Sequence, residues 1–473
     1  MCDAVRYHGE VGGFFVENFG CRATQADGAA LERQFEERGL ERASTAAQAA
    51  IVILNTCTVT TGADQDARAA IRRVRRQNPE AQIVVTGCYA QRAPEEIAAL
   101  PGVSLVIGNS HKHELAEIAL NHLDFRFSTS FVSLDALSQR PKTSDQRPIF
   151  VSDIFAHTEL LAAPVFDAAN ERTRPNLKVQ DGCDNRCSFC VIPFVRGQSR
   201  SLQIDRIVRE VNTLVEAGYR EVVISGINLG RWGRDLDHVG TAALGCPGEL
   251  AGLIRVILAE TSLEKLRISS VEPMDWSDEL ISLVASSSRI AKHAHVPMQS
   301  GSDAVLRRMH RKYRPWHYRE KIEKIHAAMP DAAIGADVMV GFPGETGAEF
   351  EATRRFVEDL PFTYLHVFTY SARPGTPAAD MPNQVSVHTA RERNRILREL
   401  AAEKKLTFMR SFIGKTVEAI TLNVMGTDAG GEFTESLTEN YLKLRLRGCH
   451  PPNCWQQVAV HDVVSGSLVG QSV

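Results

Sequence analysis

The sequence predicts an α/β protein in three parts: an N-terminal open parallel α/β sheet domain, a central parallel (βα) barrel, full or partial, and a small C-terminal β-barrel. Three observations carry this. Short apolar runs alternate with helix-forming stretches over residues 14–120, and a second strand–helix series runs from Leu177 to about Leu400. From Phe412 the pattern changes to short alternating runs with turn signals such as Gly430-Gly431.

The chain of 473 residues has room for roughly two to four domains. Hydrophobic residues make up 44% and charged ones 23%, which excludes a disordered, collagen-like or coiled-coil protein. No apolar run approaches the ~18 residues of a membrane span. The start, Met1-Cys2-Asp3-Ala4-Val5-Arg6, lacks the apolar stretch of a secretory signal, so a cytoplasmic location is expected. Net charge is −3, from 54 basic and 57 acidic residues, and nucleic-acid binding would have to come from local patches.

Phe14-Phe15-Val16, Ile51–Leu54 and Ile83–Val85 read as buried strands, with helices over Gln25–Arg38 and Ala63–Gln77 between them. Gly39 and Asn78-Pro79 are the helix stops. Each strand runs into a cysteine: Gly20-Cys21, Thr56-Cys57 and Gly87-Cys88. Ligands of open α/β sheets sit outside the carboxyl ends of strands, so these three thiols are placed to converge. Any one of them alone is most simply a small core residue; the threefold repeat points to a shared site. Residues 121–172 break the rhythm and read as a connector.

In the second series, Ile204, Ile207, Val208, Val211, Leu214 and Val215 keep helical spacing up to Gly218. Strands are expected at Val222–Ser225, Leu266–Ser269, Ala294–Pro297, Ile334–Val340 and Tyr364–Phe368. In the tail, Leu442, Leu444 and Leu446 alternate with Lys443, Arg445 and Arg447, a strand with one apolar and one basic face.

The strongest chemical signal is Cys183-Asp-Asn-Arg-Cys187-Ser-Phe-Cys190, just past the strand Leu177-Lys178-Val179. Thiolates at this spacing wrap an iron–sulfur cluster, and three cysteines for four irons leave one iron open to a substrate or cosubstrate. A zinc site is the alternative, although it would usually want a fourth close Cys or His.

At these residues the chain resembles the radical S-adenosylmethionine (SAM) superfamily, marked by CxxxCxΦC with an aromatic at Φ, here Phe189, at the start of a partial βα barrel. Together with Cys21, Cys57 and Cys88, it is similar to the methylthiotransferases. The supporting strings are Asn55–Thr60, Val85–Gln91, Gly226–Gly230, Ile268–Pro273, His295–Ser302, Asp337–Glu345 and Tyr370–Pro377. The resemblance implies a transferase with two [4Fe-4S] clusters and SAM as cofactors. Cys183, Cys187 and Cys190 would hold the cluster that cleaves SAM to a 5′-deoxyadenosyl radical, and Cys21, Cys57 and Cys88 an auxiliary cluster carrying the sulfur to be inserted. The Asn55–Thr60 string and Leu437–Lys443 resemble the branch that methylthiolates C2 of N6-threonylcarbamoyladenosine at tRNA position 37. Other branches modify isopentenyladenosine in tRNA or an aspartate of a ribosomal protein. The implied organisation is a methylthiotransferase domain over 12–125, a connector over 126–170, a radical SAM core over 171–402 and a TRAM-type barrel over 405–473. The implied partners are the tRNA anticodon arm and an electron donor such as flavodoxin or ferredoxin, with no membrane and no DNA.

Further residues fit those roles. Gly226, just past a strand, allows close backbone approach to a ligand. Asn228 and Glu272 are polar groups at strand ends, suited to the amino or ribose hydroxyl groups of SAM, and Gln299 precedes a helix that Ser302 would cap. For RNA, Lys443, Arg445 and Arg447 form one basic face. Arg307, Arg308, Arg311, Lys312 and Arg314 form another, near Tyr313 and Trp316. Arg68, Arg72, Arg73, Arg75 and Arg76 read as a solvated helix face. Thr24 departs from the family pattern, which tends to carry Asn there. Cys2, Cys246, Cys449 and Cys454 receive no role.

Overall fold

The computed structural model describes residues 13–123, 147–157, 160, 174–236 and 249–473. Cys2 and Cys246, and most of the 126–170 connector, lie outside them. The chain forms two compact units, the first built from residues 1–165, 182–184 and 191–198, the second from 166–181, 185–190 and 199–473.

The first unit is a five-stranded parallel sheet in sequential order: β1 (Phe14–Asn18), β2 (Ile51–Thr56), β3 (Gln82–Gly87), β4 (Val103–Gly108) and β5 (Ile149–Phe150). Helix α1 spans Arg22–Glu36, α2 Thr61–Gln77, α3 Cys88–Arg92, α4 Pro94–Ala98 and α5 Leu115–His122. Strand alternation splits the apolar residues between two cores. Ile51 and Ile53 join Leu31 and Phe35 of α1 and Leu115 of α5, while Val52 and Leu54 join Ala67, Ile71 and Val74 of α2 on the other face. The described part of the connector supplies β5, which extends the sheet beside β4.

The strand ends are level. Asn18 pairs with Asn55, Thr56 with Gly87, and Gly87 with Gly108. Everything that follows β1, β2 and β3 therefore starts along one edge.

In the second unit, β6 (Asn176–Asp181), β8 (Glu221–Gly226) and β9 (Lys265–Ile268) run parallel, with the short β7 (Arg200–Ser201) antiparallel on β6. A second parallel set comprises β10 (His293–His295), β11 (Ala333–Val340) and β12 (Tyr364–Thr369). The Leu266–Ile290 bridge and the hydrogen bond from Val271 N to His295 O join the sets into an open barrel whose free edges are β7 and β12. Its helices are α6 (Ile204–Glu216), α7 (Leu250–Glu260), α8 (Asp278–Ser286), α9 (Asp303–Arg308), α10 (Pro315–Ala328) and α11 (Gly347–Asp359). The expected spacing on α6 buries Ile207, Val208, Val211 and Leu214.

The long helix α12 (Val387–Arg410) leads to a closed barrel of β13 (Thr416–Asp428), β14 (Gly431–Thr438), β15 (Lys443–Arg447), β16 (Trp455–Val464) and β17 (Ser467–Ser472). Leu442, Leu444 and Leu446 fill its core with Val458, Val460 and Leu468, as the alternation required. Lys265 joins the small barrel to the large one through Glu418 at 2.6 Å, and Arg267 donates to Glu439 O at 2.9 Å.

Candidate functional site

In the first unit, β1, β2 and β3 deliver Cys21, Cys57 and Cys88 to the same sheet edge. Cys57 and Cys88 are buried, whereas Cys21 is exposed at the N-terminus of α1. Gly20 has φ +101°, and a Cβ there would lie 2.6 Å from Cys57 Cβ and 2.9 Å from its sulfur, so only glycine lets the first strand end approach the second thiol. Burial, then the neighbouring Cys88 and Cys21 sulfurs, push the Cys57 thiol up to about 12, against a backbone hydrogen bond from Val59 and the charge of Arg196. Three thiols on one edge, two of them close enough to raise the proton affinity of the third, are a donor set that a cationic centre relieves. They fit an iron–sulfur cluster.

A buried polar network supports that edge. Asp27 accepts from Lys112 Nζ at 3.0 Å and from Arg196 Nη2 at 2.9 Å, and Lys112 also donates to Asn55 Oδ1 at 3.2 Å. Burial pulls the Lys112 ammonium below the ordinary lysine value while Asp27 opposes the shift. Asn109 Nδ2 donates to Val195 O at 2.7 Å and lies 3.6 Å from the Cys88 sulfur. Thr24 places its hydroxyl 3.6 Å from the Cys21 sulfur, and its carbonyl accepts from Asn55 Nδ2 at 2.8 Å. It thus meets both the first cysteine and the second strand end. The sequence offered no sign of Asp27, Lys112, Arg196 or Asn109.

Cys183 also belongs to the first unit, where its backbone N donates to Gly197 O at 3.1 Å. Cys187 and Cys190 belong to the second. Between them Ser188 is fixed by Oγ donation to Arg308 O at 2.7 Å, by its N to Met309 O, and by its O accepting from Ala378 N. Phe189 packs edge-on to Phe342, 6.4 Å between ring centres.

Arg311 organises this part of the second unit. Its Nη1 donates to the Cys187 sulfur at 3.2 Å, its Nη2 is paired with Glu272, and its Nε donates to the Tyr313 hydroxyl at 3.3 Å. Burial opposes the charge, but Tyr313, Glu272 and Cys187 more than offset it and hold the guanidinium protonated. The tight turn at Gly226 accommodates Gln180, whose Oε1 accepts from Asn228 N at 2.7 Å; a Cβ on Gly226 would lie 2.7 Å from that oxygen. Gln299 is buried at φ +66°, and its backbone joins β11 through Asp337 O and Met339 N. Ser302 caps its helix through Val305 N at 3.5 Å.

The basic run at 307–314 does not present the expected open cationic face. Arg307 is paired with Asp303, Arg308 with Glu349 and Arg314 with Asp303, while Arg311 and Tyr313 are buried; Lys312 and Trp316 stay exposed. Each of these guanidinium groups is paired with a carboxylate of its own unit. On β15, Lys443 is exposed, whereas Arg445 and Arg447 both reach Asp428, at 3.0 and 2.6 Å. Arg68 and Arg73 pair with Glu96 and Glu17, in line with a structural role for that helix face. Cys449 and Cys454 are free thiols. Among the described residues no helix is long and apolar enough to cross a membrane.

Residues 13–108 match an uncharacterized protein family, UPF0004, and residues 177–357 match the radical SAM superfamily. The chain is 36% identical over 434 residues to threonylcarbamoyladenosine tRNA methylthiotransferase MtaB of Aquifex aeolicus, covering 91% of this chain and 96% of that one. It is 35% identical to the protein of the same name from Bacillus subtilis, with 91% and 89% covered. It is also 34% identical to tRNA-2-methylthio-N(6)-dimethylallyladenosine synthase of Novosphingobium aromaticivorans, with 86% of each chain covered. Among solved structures, the radical SAM methyltransferase TsrM of Kitasatospora setae matches with TM-score 0.52 at 14% identity, over 77% of this chain and 74% of that one, a likeness of fold. The chain belongs to the radical SAM tRNA methylthiotransferase family, transferases that work with SAM and [4Fe-4S] chemistry.

Proposed function

We propose that this protein inserts a methylthio group at C2 of threonylcarbamoyladenosine beside the anticodon of a tRNA, using two [4Fe-4S] clusters. The convergence of Cys21, Cys57 and Cys88 on one sheet edge carries the reading, because a second cluster needs a second set of thiolates. Cys183, Cys187 and Cys190 would hold the other cluster by their spacing. When bound, that cluster supplies the electron for cleaving SAM and the auxiliary one the sulfur. A donor such as flavodoxin or ferredoxin delivers the electron, and the reaction takes place in the cytoplasm.

The chain's own residues prepare the site. Arg311 holds a positive charge against the Cys187 sulfur and fixes the Glu272 carboxylate, which leaves Glu272's other lone pairs for the amino group of SAM. Asn228 and Gln299, at the carboxyl ends of their strands, would take its ribose hydroxyls. Lys112 and Arg196 offset the negative charge that thiolates and cluster bring to a buried edge. Lys443, Arg445 and Arg447 give the small barrel a cationic strand for RNA phosphates.

The test is anaerobic reaction of the reconstituted protein with SAM, reductant and an anticodon-arm RNA carrying threonylcarbamoyladenosine, followed by nucleoside mass spectrometry. A product heavier by one methylthio group in place of hydrogen supports the reading. Turnover of dimethylallyladenosine RNA alone would assign the protein to the other branch.

A further inference from the structure

Strands β10, β11 and β12 carry two unlike faces. Ala294, Ile334, Ala336 and Val338 are fully buried on one. His293, His295, Gly335, Asp337, Tyr364 and His366 alternate with them and lie on the other, the inner face of the open barrel. Midway along it, Asp337 Oδ1 is 3.4 Å from His295 Nε2 and 3.4 Å from His366 Nδ1. His295 is fixed from behind, its Nδ1 2.6 Å from Ser270 Oγ. Burial opposes ionisation of Asp337, yet the two imidazoles more than offset it and hold the carboxyl well below the usual carboxylate range. Asp337 takes up the Nδ1 side of His366, so the Nε2 edge is left for a ligand. The Asp337 carbonyl accepts from Gln299 N at 2.8 Å, which puts this group beside a residue assigned to SAM.

The side chain of His366 is 63% exposed and borders a cleft of about 560 Å³ along the free edge β12. Arg398 and Lys405 of α12, Lys443 and Arg445 of β15, and Arg174 line it, against the single carboxylate of Glu435. Arg398, Lys405 and Lys443 have no ion pair among the described residues. The cationic side chains of this cleft attract anionic oxygen, beside apolar side chains such as Leu365, Leu437 and Leu444.

We infer that His366, oriented by Asp337 and set in this cationic cleft, binds a carboxylate on the arm of the modified adenosine and so selects the substrate. The inference rests on the proposed function and deepens it: a threonylcarbamoyl arm ends in a carboxylate, whereas a dimethylallyl arm carries no charge.

The test compares wild type, His366→Ala and His366→Gln, each full-length and reconstituted, on three anticodon-arm RNAs of identical backbone. These carry threonylcarbamoyladenosine, its neutral carboxamide, or dimethylallyladenosine. Wild type is expected to prefer the acid over the amide by about tenfold in kcat/KM, the scale of one charge-assisted hydrogen bond. His366→Ala is expected to lose about that factor on the acid through KM and to level acid with amide, with His366→Gln between. Equal losses on all three RNAs would assign His366 to the phosphate backbone or to structure and overturn the inference, while turnover of the acid by wild type would leave the proposed function standing. No turnover of the acid by wild type overturns both. The three ligand atoms also lie within 4.8 Å of one another; a metal ion beyond the cluster iron, lost in His366→Ala, would show that the triad holds a cation and would overturn the inference as well.

Discussion

Arg311 reaches the Cys187 sulfur at 3.2 Å with the same guanidinium that pairs with Glu272. One buried cation is thereby tied both to a thiol of the CxxxCxxC motif and to the strand-end carboxylate proposed for SAM. A hydrogen bond and a positive charge at a cluster sulfur both favour the reduced state.

Arg311→Gln should therefore lower the reduction potential of the SAM-cleaving cluster and slow SAM cleavage at least about tenfold, the value of a lost charge-assisted bond. EPR-monitored redox titration and the rate of 5′-deoxyadenosine formation check this. An unchanged potential would remove Arg311 from the electrostatics of the cluster.

Asp27 accepts from both Lys112 and Arg196. Asp27→Asn leaves two buried cations facing one another and should destabilise the first unit by about 3–5 kcal/mol. Lys112→Met alone removes one of the competing cations and should cost less. Denaturant midpoints of the two variants decide it.

Glu221 is wholly buried between Arg267, at 2.5 Å, and Arg174, at 3.7 Å. Burial works against its charge, but the two guanidinium groups prevail and hold it below the usual carboxylate range. A folded-state value below the unfolded one, about 4.3, stabilises fully above that pH, and the stabilisation is lost as pH falls through the folded value. Glu221→Gln should accordingly flatten the acid limb of stability against pH, measured by urea unfolding between neutrality and pH ~3, and lower stability at neutrality because two cations lose their partner.

Lys443 is exposed and unpaired among the described residues, whereas Arg445 and Arg447 are bound to Asp428. Lys443→Ala should weaken anticodon-arm RNA binding and reduce the slope of log affinity against log salt by about one. Its melting temperature should stay the same. Arg447→Ala should lower both affinity and melting temperature, since its guanidinium also holds the β13–β14 turn.

The placement of Cys21, Cys57 and Cys88 along one sheet edge was legible because the signal is local, a strand end followed by a thiol, repeated three times, with the sheet register then bringing the repeats level. Strand alternation at Leu442, Leu444 and Leu446 was equally readable, since a period of two survives in any closed or open sheet. Arg311 was not, because its partners Cys187 and Glu272 lie 124 and 39 positions away and nothing in a run of arginines tells which of them will be buried. The His295–Asp337–His366 group was hidden for the same reason, being assembled by register across three strands. Two-residue β5 carries too little pattern to be seen at all.

The central claim is that two sets of three thiolates hold two clusters. Iron and acid-labile sulfide per chain, after anaerobic reconstitution of wild type and Cys57→Ala, tests it most directly. The account predicts about eight irons falling to about four, one cubane for each set. The same iron content in both proteins would mean that Cys21, Cys57 and Cys88 are core residues, and the methylthiolation mechanism built on them would be wrong.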